Sequence, residues 1–168
     1  MKKKLKLKSN KKAYLQIDFA FAMFMFLLVF VFCYNHYVSY KNIIREENEI
    51  SKLTLDAQDL CFLLTHSTGY PNNWETNIDN TVQFGFVKNN EKELDISKIN
   101  QFTDSNYFTI IDNLNIEDNL YIKIKDINSS NVYLDFGATV KNGVLYSDYK
   151  CFANYNSSIV EVYVEVWK

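Results

Sequence analysis

The chain has 168 residues, a formal net charge of −2, and only one proline and four glycines. That length suits one compact domain, and the shortage of proline and glycine excludes collagen-like and Pro/Gly-rich linker proteins. The charge is uneven, because residues 1–12 hold seven lysines and no acid, whereas the chain from residue 41 onward has a net charge of −8. A basic tip on an acidic body argues against a nucleic-acid partner, which would need positive charge on the folded face.

The first predicted element is a membrane helix. Residues 19–40 carry no formal charge, and the part up to Cys33 is apolar throughout. About 20 mostly apolar residues suffice to cross a bilayer, and a domain of ~100 residues could not cover a helix that is apolar on all sides. Because the lysines precede this segment, the positive-inside rule predicts a cytoplasmic N-terminus and an extracytoplasmic C-terminal domain. Membrane lipid is therefore an expected partner.

The residues at the start of this helix form a short pattern of a basic, a small and an acidic residue. Lys12 and Ala13 precede Tyr14, and Asp18 stands five residues after Ala13. This string resembles the class III signal peptide of type IV prepilins, including their archaeal relatives. The resemblance implies that a prepilin peptidase removes a leader of residues 1–13 and exposes Tyr14. An ordinary secretory signal is not expected, because bulky residues instead of a small-residue cleavage site follow the apolar run.

Asp18 has two interpretations. In the pilin family an acid at the fifth mature position, usually Glu, pairs with the free amine of a neighbouring subunit. The resemblance implies this assembly role for Asp18, although its side chain is shorter than that of Glu. The alternative is that Asp18 only marks the cytoplasmic boundary of the membrane segment, since a carboxylate inside hydrocarbon is costly.

The helix is expected to continue past the membrane to about residue 65, since no proline or glycine occurs before Gly69. Apolar residues at 3–4 spacing form one stripe that predicts packing on the protein's own sheet, with coiled-coil packing between copies as the alternative. Ile43 and Ile44, nearer the membrane, are the better candidates for contact with neighbours. The stripe consists of Ile50, Leu53, Ala57, Leu60 and Leu64.

Gly69 and Pro71 form a helix stop signal. The order of features here is similar to that of archaeal pilin-like secreted proteins: Leu-Leu, a turn with Gly-x-Pro, then a Trp, here Trp74. That resemblance implies a glycine-containing strand over residues 82–87, a short helical region over residues 94–114, and a Val-rich terminus ending in Trp167.

Apolar and polar residues alternate in the last third of the chain, which predicts strands with one covered face. The strands are expected at residues 120–125, 132–136, 144–152 and 160–167, with a turn at residues 141–143. Together with the helix, they predict an α+β fold in which an antiparallel meander of about four strands packs on the distal half of the helix.

No catalytic motif, cofactor-binding motif or metal-ligand spacing occurs, so we expect neither an enzyme nor a cofactor or metal site. Cys61 and Cys151 are the two cysteines outside the membrane segment, and they either form a disulfide or remain small buried apolar residues. Asn128 and Asn156 begin Asn-x-Ser sequons in predicted turns and are candidate glycosylation sites.

These features predict three parts: a basic leader over residues 1–13, a transmembrane and assembly helix over residues 14–40, and an extracytoplasmic domain over residues 41–168. The expected function is that of a major or minor pilin or pseudopilin in a type IV pilus-like surface filament, active in filament building or adhesion. Its expected partners are a prepilin peptidase and other pilin-like subunits. The alternative is a monomeric, membrane-anchored binding module that resembles pilins only in layout.

Overall fold

The structure is a computed structural model. It describes residues 11–88, 93–116, 118–129, 131–139 and 144–168, and the side chains of the first helix from Ile17 onward. The predicted α+β fold is confirmed: one long N-terminal helix is followed by short helices and a four-stranded antiparallel sheet. The chain divides into two compact units, Met1–Glu46 and Glu47–Lys168. This division lies six residues beyond the predicted domain boundary at residue 40.

Helix α1 comprises Lys11–His66 and has neither proline nor glycine within it. Its distal half buries Leu53, Ala57, Leu60 and Leu64, as the spacing predicts. Ile50 was expected in the same stripe, but its side chain is 41% exposed. The buried stripe therefore begins one turn later than predicted.

The turn after α1 depends on one glycine. Gly69 has φ +80°, and a Cβ added there would meet the indole ring of Trp74. The ring is fully buried, and its Nε1 donates a hydrogen bond of 3.0 Å to the carbonyl of Gly85. Since only glycine adopts such a φ freely and leaves room for the ring, the stop signal also positions the core tryptophan.

The strand expected over residues 82–87 is wrong. This segment forms only isolated bridges, between Tyr70 and Gln83 and between Val87 and Leu94. The N–H of Phe86 donates instead to the carbonyl of Leu64 at 2.9 Å, at the end of α1. The backbone of this segment thus donates a hydrogen bond to the last turn of α1, where carbonyls lack intrahelical partners.

The helical region expected over residues 94–114 contains helix α2, Ile96–Ile99, and helix α3, Tyr107–Leu114. Asp95 caps α2, because its Oδ1 accepts a hydrogen bond of 2.9 Å from the N–H of Ser97. Short 3₁₀ helices occur at Trp74–Thr76, Ile78–Asn80 and Asp104–Asn106.

The sheet contains β1 (Asn119–Asp126), β2 (Val132–Gly137), β3 (Tyr146–Tyr155) and β4 (Ser158–Trp167). All neighbours are antiparallel, but the order is β2-β1-β4-β3, so the predicted meander is wrong. Two hairpins, β1–β2 and β3–β4, lie side by side through the β1–β4 pair, and β2 and β3 form the two edges. The expected turn at residues 141–143 lies outside the described residues.

The core lies between α1 and the inner face of the sheet. Alternate residues of β4, from Val160 to Val166, are fully buried, as are Ile122 and Ile124 of β1. Contacts along the helix show its direction: Thr54 Oγ1 lies 2.8 Å from Ser147 Oγ, and Cys61 meets Cys151. Residues 47–66 therefore run in the same direction as β3.

Candidate functional site

The N-terminal half of α1 is the most unusual surface of the molecule. Every side chain from residue 17 to residue 48 is exposed, and most of those up to Val31 are large and apolar. By length and composition this helix could cross a membrane. Exposed apolar surface on this scale needs a non-aqueous or protein partner, because soluble proteins rarely leave patches beyond a few hundred Å² uncovered.

The residues predicted for processing and assembly lie at the start of this helix. The backbone of Lys12, Ala13 and Tyr14 falls in its first turns, while their side chains lie outside the described residues, as do residues 1–10 of the expected leader. Asp18 is helical and exposed. It therefore stands on the same exposed surface as the apolar residues that follow it.

Cys61 and Cys151 are joined in a disulfide, with their Cα atoms 6.0 Å apart. Both residues are buried, so the bond crosses the core from α1 to the inner face of β3. The sequence had left open whether these cysteines pair or remain separate. Cys33, in the apolar half of α1, is a free and exposed cysteine.

The two sequon asparagines lie at the same end of the sheet. Asn128 is exposed in the turn that follows β1, and Asn156 is exposed in the two-residue turn between β3 and β4. Positive φ angles of 47° at Asn156 and 63° at Ser157 fit the type I′ hairpin turn, which favours asparagine. Because α1 and β3 run in the same direction, this end is also where α1 terminates. Glycosylation at either position remains a prediction.

Asp126 organises the turn that carries the first sequon. Its Oδ1 accepts hydrogen bonds from the N–H groups of Ser129 at 2.9 Å and Asn128 at 2.7 Å. These backbone bonds hold the pKa of the Asp126 carboxyl below its ordinary value.

Sequence reasoning missed the buried Lys98. Its side chain is 1% exposed, and Nζ donates hydrogen bonds to the carbonyls of Thr68 at 2.6 Å and Val87 at 3.0 Å. Burial lowers the pKa of this ammonium group, and the charges of Glu75 and Asp95 oppose that shift. Lys98 thus joins two loop segments beside the core. Only its position between Ile96 and Ile99 could have signalled burial.

Charged and tyrosine side chains of neighbouring strands interact on the outer face of the sheet. Glu161 of β4 bonds to two lysines, Lys125 of β1 at 3.0 Å and Lys150 of β3 at 3.6 Å. Burial raises the pKa of Tyr121 and of Tyr163 to about 12. Glu165 is buried on this face opposite Asp148 of β3. Its pKa is raised, first by burial and then by the charge of Asp148.

Two clefts could receive small groups. One, of about 360 Å³, lies between α1 and the end of α3 and includes Asp56, Asp59 and Leu114. The other, of about 490 Å³, lies where α1 meets the end of β3 and includes His66 and Asn154. Within the part of the chain that the structure describes, no group of three or more His, Cys, Asp or Glu residues could hold a metal ion.

No family model, curated protein or solved structure matches the chain.

Proposed function

We propose that the chain is a structural subunit of a type IV pilus-like surface filament, a major or minor pilin or pseudopilin. The observation that supports this proposal is the division of one continuous helix. Its first half is apolar and exposed on every side, while its second half is buried against the sheet of a disulfide-linked domain. Such a helix can rest in lipid before assembly and pack against neighbouring helices after it.

In this proposal the N-terminus lies in the cytoplasm and the domain lies outside. Seven lysines precede the apolar helix, and the bias of lysine and arginine toward the cytoplasmic side sets this orientation. A disulfide between Cys61 and Cys151 and two exposed sequons also fit an oxidising, extracytoplasmic environment. A prepilin peptidase would cut after Ala13.

The N-terminus of the mature protein tests processing directly. Mass spectrometry of the chain from its native membrane should identify Tyr14 as the first residue, and intact Met1 or Lys2 would contradict the proposal. Ala13→Phe should block the cut, because a bulky side chain replaces the small residue before it. Ala22→Phe, the same change nine residues later in the exposed helix, should leave the cut intact.

Asp18 tests assembly separately. If its carboxylate pairs with the amine of a neighbouring subunit, Asp18→Ala should reduce incorporation into filaments while membrane insertion persists, and Asp18→Glu should restore incorporation. Equal incorporation by the alanine variant would show that the carboxylate is only a boundary marker. A chain that stays uncut and monomeric would favour the anchored binding module instead.

A further inference from the structure

Among the described residues, the edge strand β3 presents a row of unpaired backbone groups from Tyr146 to Phe152. It pairs with β4 on one side, and on its other side the described residues meet it at an isolated parallel bridge between Glu93 and Asn154, where the N–H of Leu94 donates to the carbonyl of Asn154 at 2.9 Å. Since alternate residues of a strand direct both backbone groups to the same edge, Asp148, Lys150 and Phe152 also direct theirs outward. Among the described residues, none donates to or accepts from these outward groups.

The side chains along this edge are arranged almost symmetrically about Tyr149. One residue away on either side are Asp148 and Lys150, of opposite charge, and three residues away are two aromatic residues, Tyr146 and Phe152. These four side chains alternate onto the outer face of the sheet, and all four are exposed.

We propose that β3 is a self-recognition edge, which pairs antiparallel with β3 of a second copy about a two-fold axis at Tyr149. In this register Asp148 of each copy lies opposite Lys150 of the other, and Tyr146 lies opposite Phe152. Both are hydrogen-bonded pairs, since all four residues direct their backbone groups outward. Opposite-charge and aromatic cross-strand pairs are the favourable ones in antiparallel sheets. The two sheets then form one eight-stranded sheet.

The helix layer offers matching apolar surface beside the same edge. The ring of Phe62 lies 6.2 Å from that of Tyr149, and Phe62 remains 44% exposed. Leu55, two turns earlier on the same side of α1, is 59% exposed. Because Tyr149 lies on the axis, its ring and Phe62 of both copies would meet beneath the joined strands.

Lysine on an edge strand commonly prevents pairing, because its charge would be buried against another strand. A lone lysine would act in that way here. Asp148 changes the outcome, since an antiparallel partner brings the opposite charge to each lysine. The other edge strand, β2, carries a single charge, Asp135, and so cannot match opposite charges in any two-fold pairing.

The pairing is distinct from the packing of parallel helices in a filament. Residues 47–66 run in the same direction as β3, and the two-fold axis reverses both. Residues 47–66 of the two copies are therefore antiparallel across this contact, so it joins copies held in separate membranes, filaments or micelles and not neighbours anchored side by side in one membrane. The two proposals can therefore fail separately. A chain that does not pair through β3 could still assemble into a filament, and a chain that does not assemble into a filament could still pair through β3.

Charge exchange tests the register. The full-length chain in detergent micelles should form dimers in sedimentation velocity at concentrations up to about 100 µM, as expected for a small interface. Asp148→Lys should raise the dimer Kd at least about tenfold, because two attractive pairs become repulsive. The double variant Asp148→Lys with Lys150→Asp should recover dimers. An equimolar mixture of the two single variants should form heterodimers, since each then supplies the charges that the other lacks.

Asp135→Lys is the matched control, an exposed acid reversed on the opposite edge strand, and it should leave the dimer Kd unchanged. Far-UV circular dichroism and disulfide content identify any variant that fails to fold, and the recovery by the double variant does not depend on that check. A monomeric parent chain, or an oligomer that Asp148→Lys and the double variant leave equally stable, would overturn the proposal.

Discussion

The two halves of α1 form the same helix from very different material. Residues 17–48 are exposed on all sides, although they include the most apolar stretch of the chain. Residues 53–64 include Asp56 and Asp59, yet they bury four apolar side chains and a cysteine completely or almost so. The difference is the packing partner: the distal half has a sheet with a matching inner face, and the N-terminal half has none among the described residues.

Apolar content does not by itself identify the core of this chain. The core of this domain comes from alternating strands, one helical stripe and a few aromatic residues, each apolar on a single side. A segment that is apolar on all sides exceeds what a small domain can cover, so it stays exposed here.

The largest effect that sharpens this comparison is loss of the disulfide. Replacing Cys61 and Cys151 together by serine should lower the free energy of unfolding of the domain by roughly 4–5 kcal/mol, the chain-entropy value for a loop of this length. Urea titration of the detergent-solubilised chain, followed by tryptophan fluorescence, measures it. Cys33 lies in the exposed half of α1, so Cys33→Ser should leave this free energy of unfolding unchanged. Equal stability of the two variants would mean that the bond does not form in solution.

A matched pair of leucines tests the two halves directly. Leu64 is fully buried, so Leu64→Ala should lower the free energy of unfolding by about 2–5 kcal/mol. Leu28→Ala removes the same atoms from an exposed position and should leave the same titration unchanged. If Leu28→Ala destabilised the domain as much, the N-terminal half of α1 would belong to its core.

A smaller effect depends on pH. The pKa of Glu165 is raised above its ordinary value of 4.5 by burial and by Asp148. Between the ordinary and the raised value the folded state binds more protons, so stability falls as pH rises through that window. Glu165→Gln should therefore raise the melting temperature at pH 7 and lose this advantage near pH 4. Asp18→Asn, in the other unit, should leave the pH profile of the domain unchanged. A gain that is the same at both pH values would assign the effect to packing.

Local periodicity predicted most of the fold. The helix was expected over residues 14–65 and is Lys11–His66, and each of the four expected strands occurs within a few residues of its predicted bounds. Apolar residues recur about every 3.6 residues in a helix and every 2 in a strand. Such spacing involves only nearby residues, so it can be recognised without knowledge of the remainder of the chain. The fold class followed from their order.

Features that depend on distant residues were not predicted. Alternation identifies β1 and β4 as strands, but nothing in either sequence states that they are neighbours, and the order β2-β1-β4-β3 follows from packing as a whole. Phe84 and Phe86 alternate like residues of a strand, yet the N–H of Phe86 donates to the carbonyl of Leu64 at the end of α1. For Lys98 the sequence offered no signal beyond its position between Ile96 and Ile99, because its partners are backbone carbonyls, which every residue carries.

The Cys61–Cys151 bond also has a mechanical consequence. Tension applied to the two ends of the chain would pass from α1 through the sulfur atoms into β3, and would bypass the 90-residue stretch between them. At about 3.3–3.6 Å per residue, the bond withholds roughly 300 Å of extensible length. The covalent bond therefore limits how far the chain can extend under tension, and the stretch between the two cysteines could extend only after the bond is reduced and the domain unfolds.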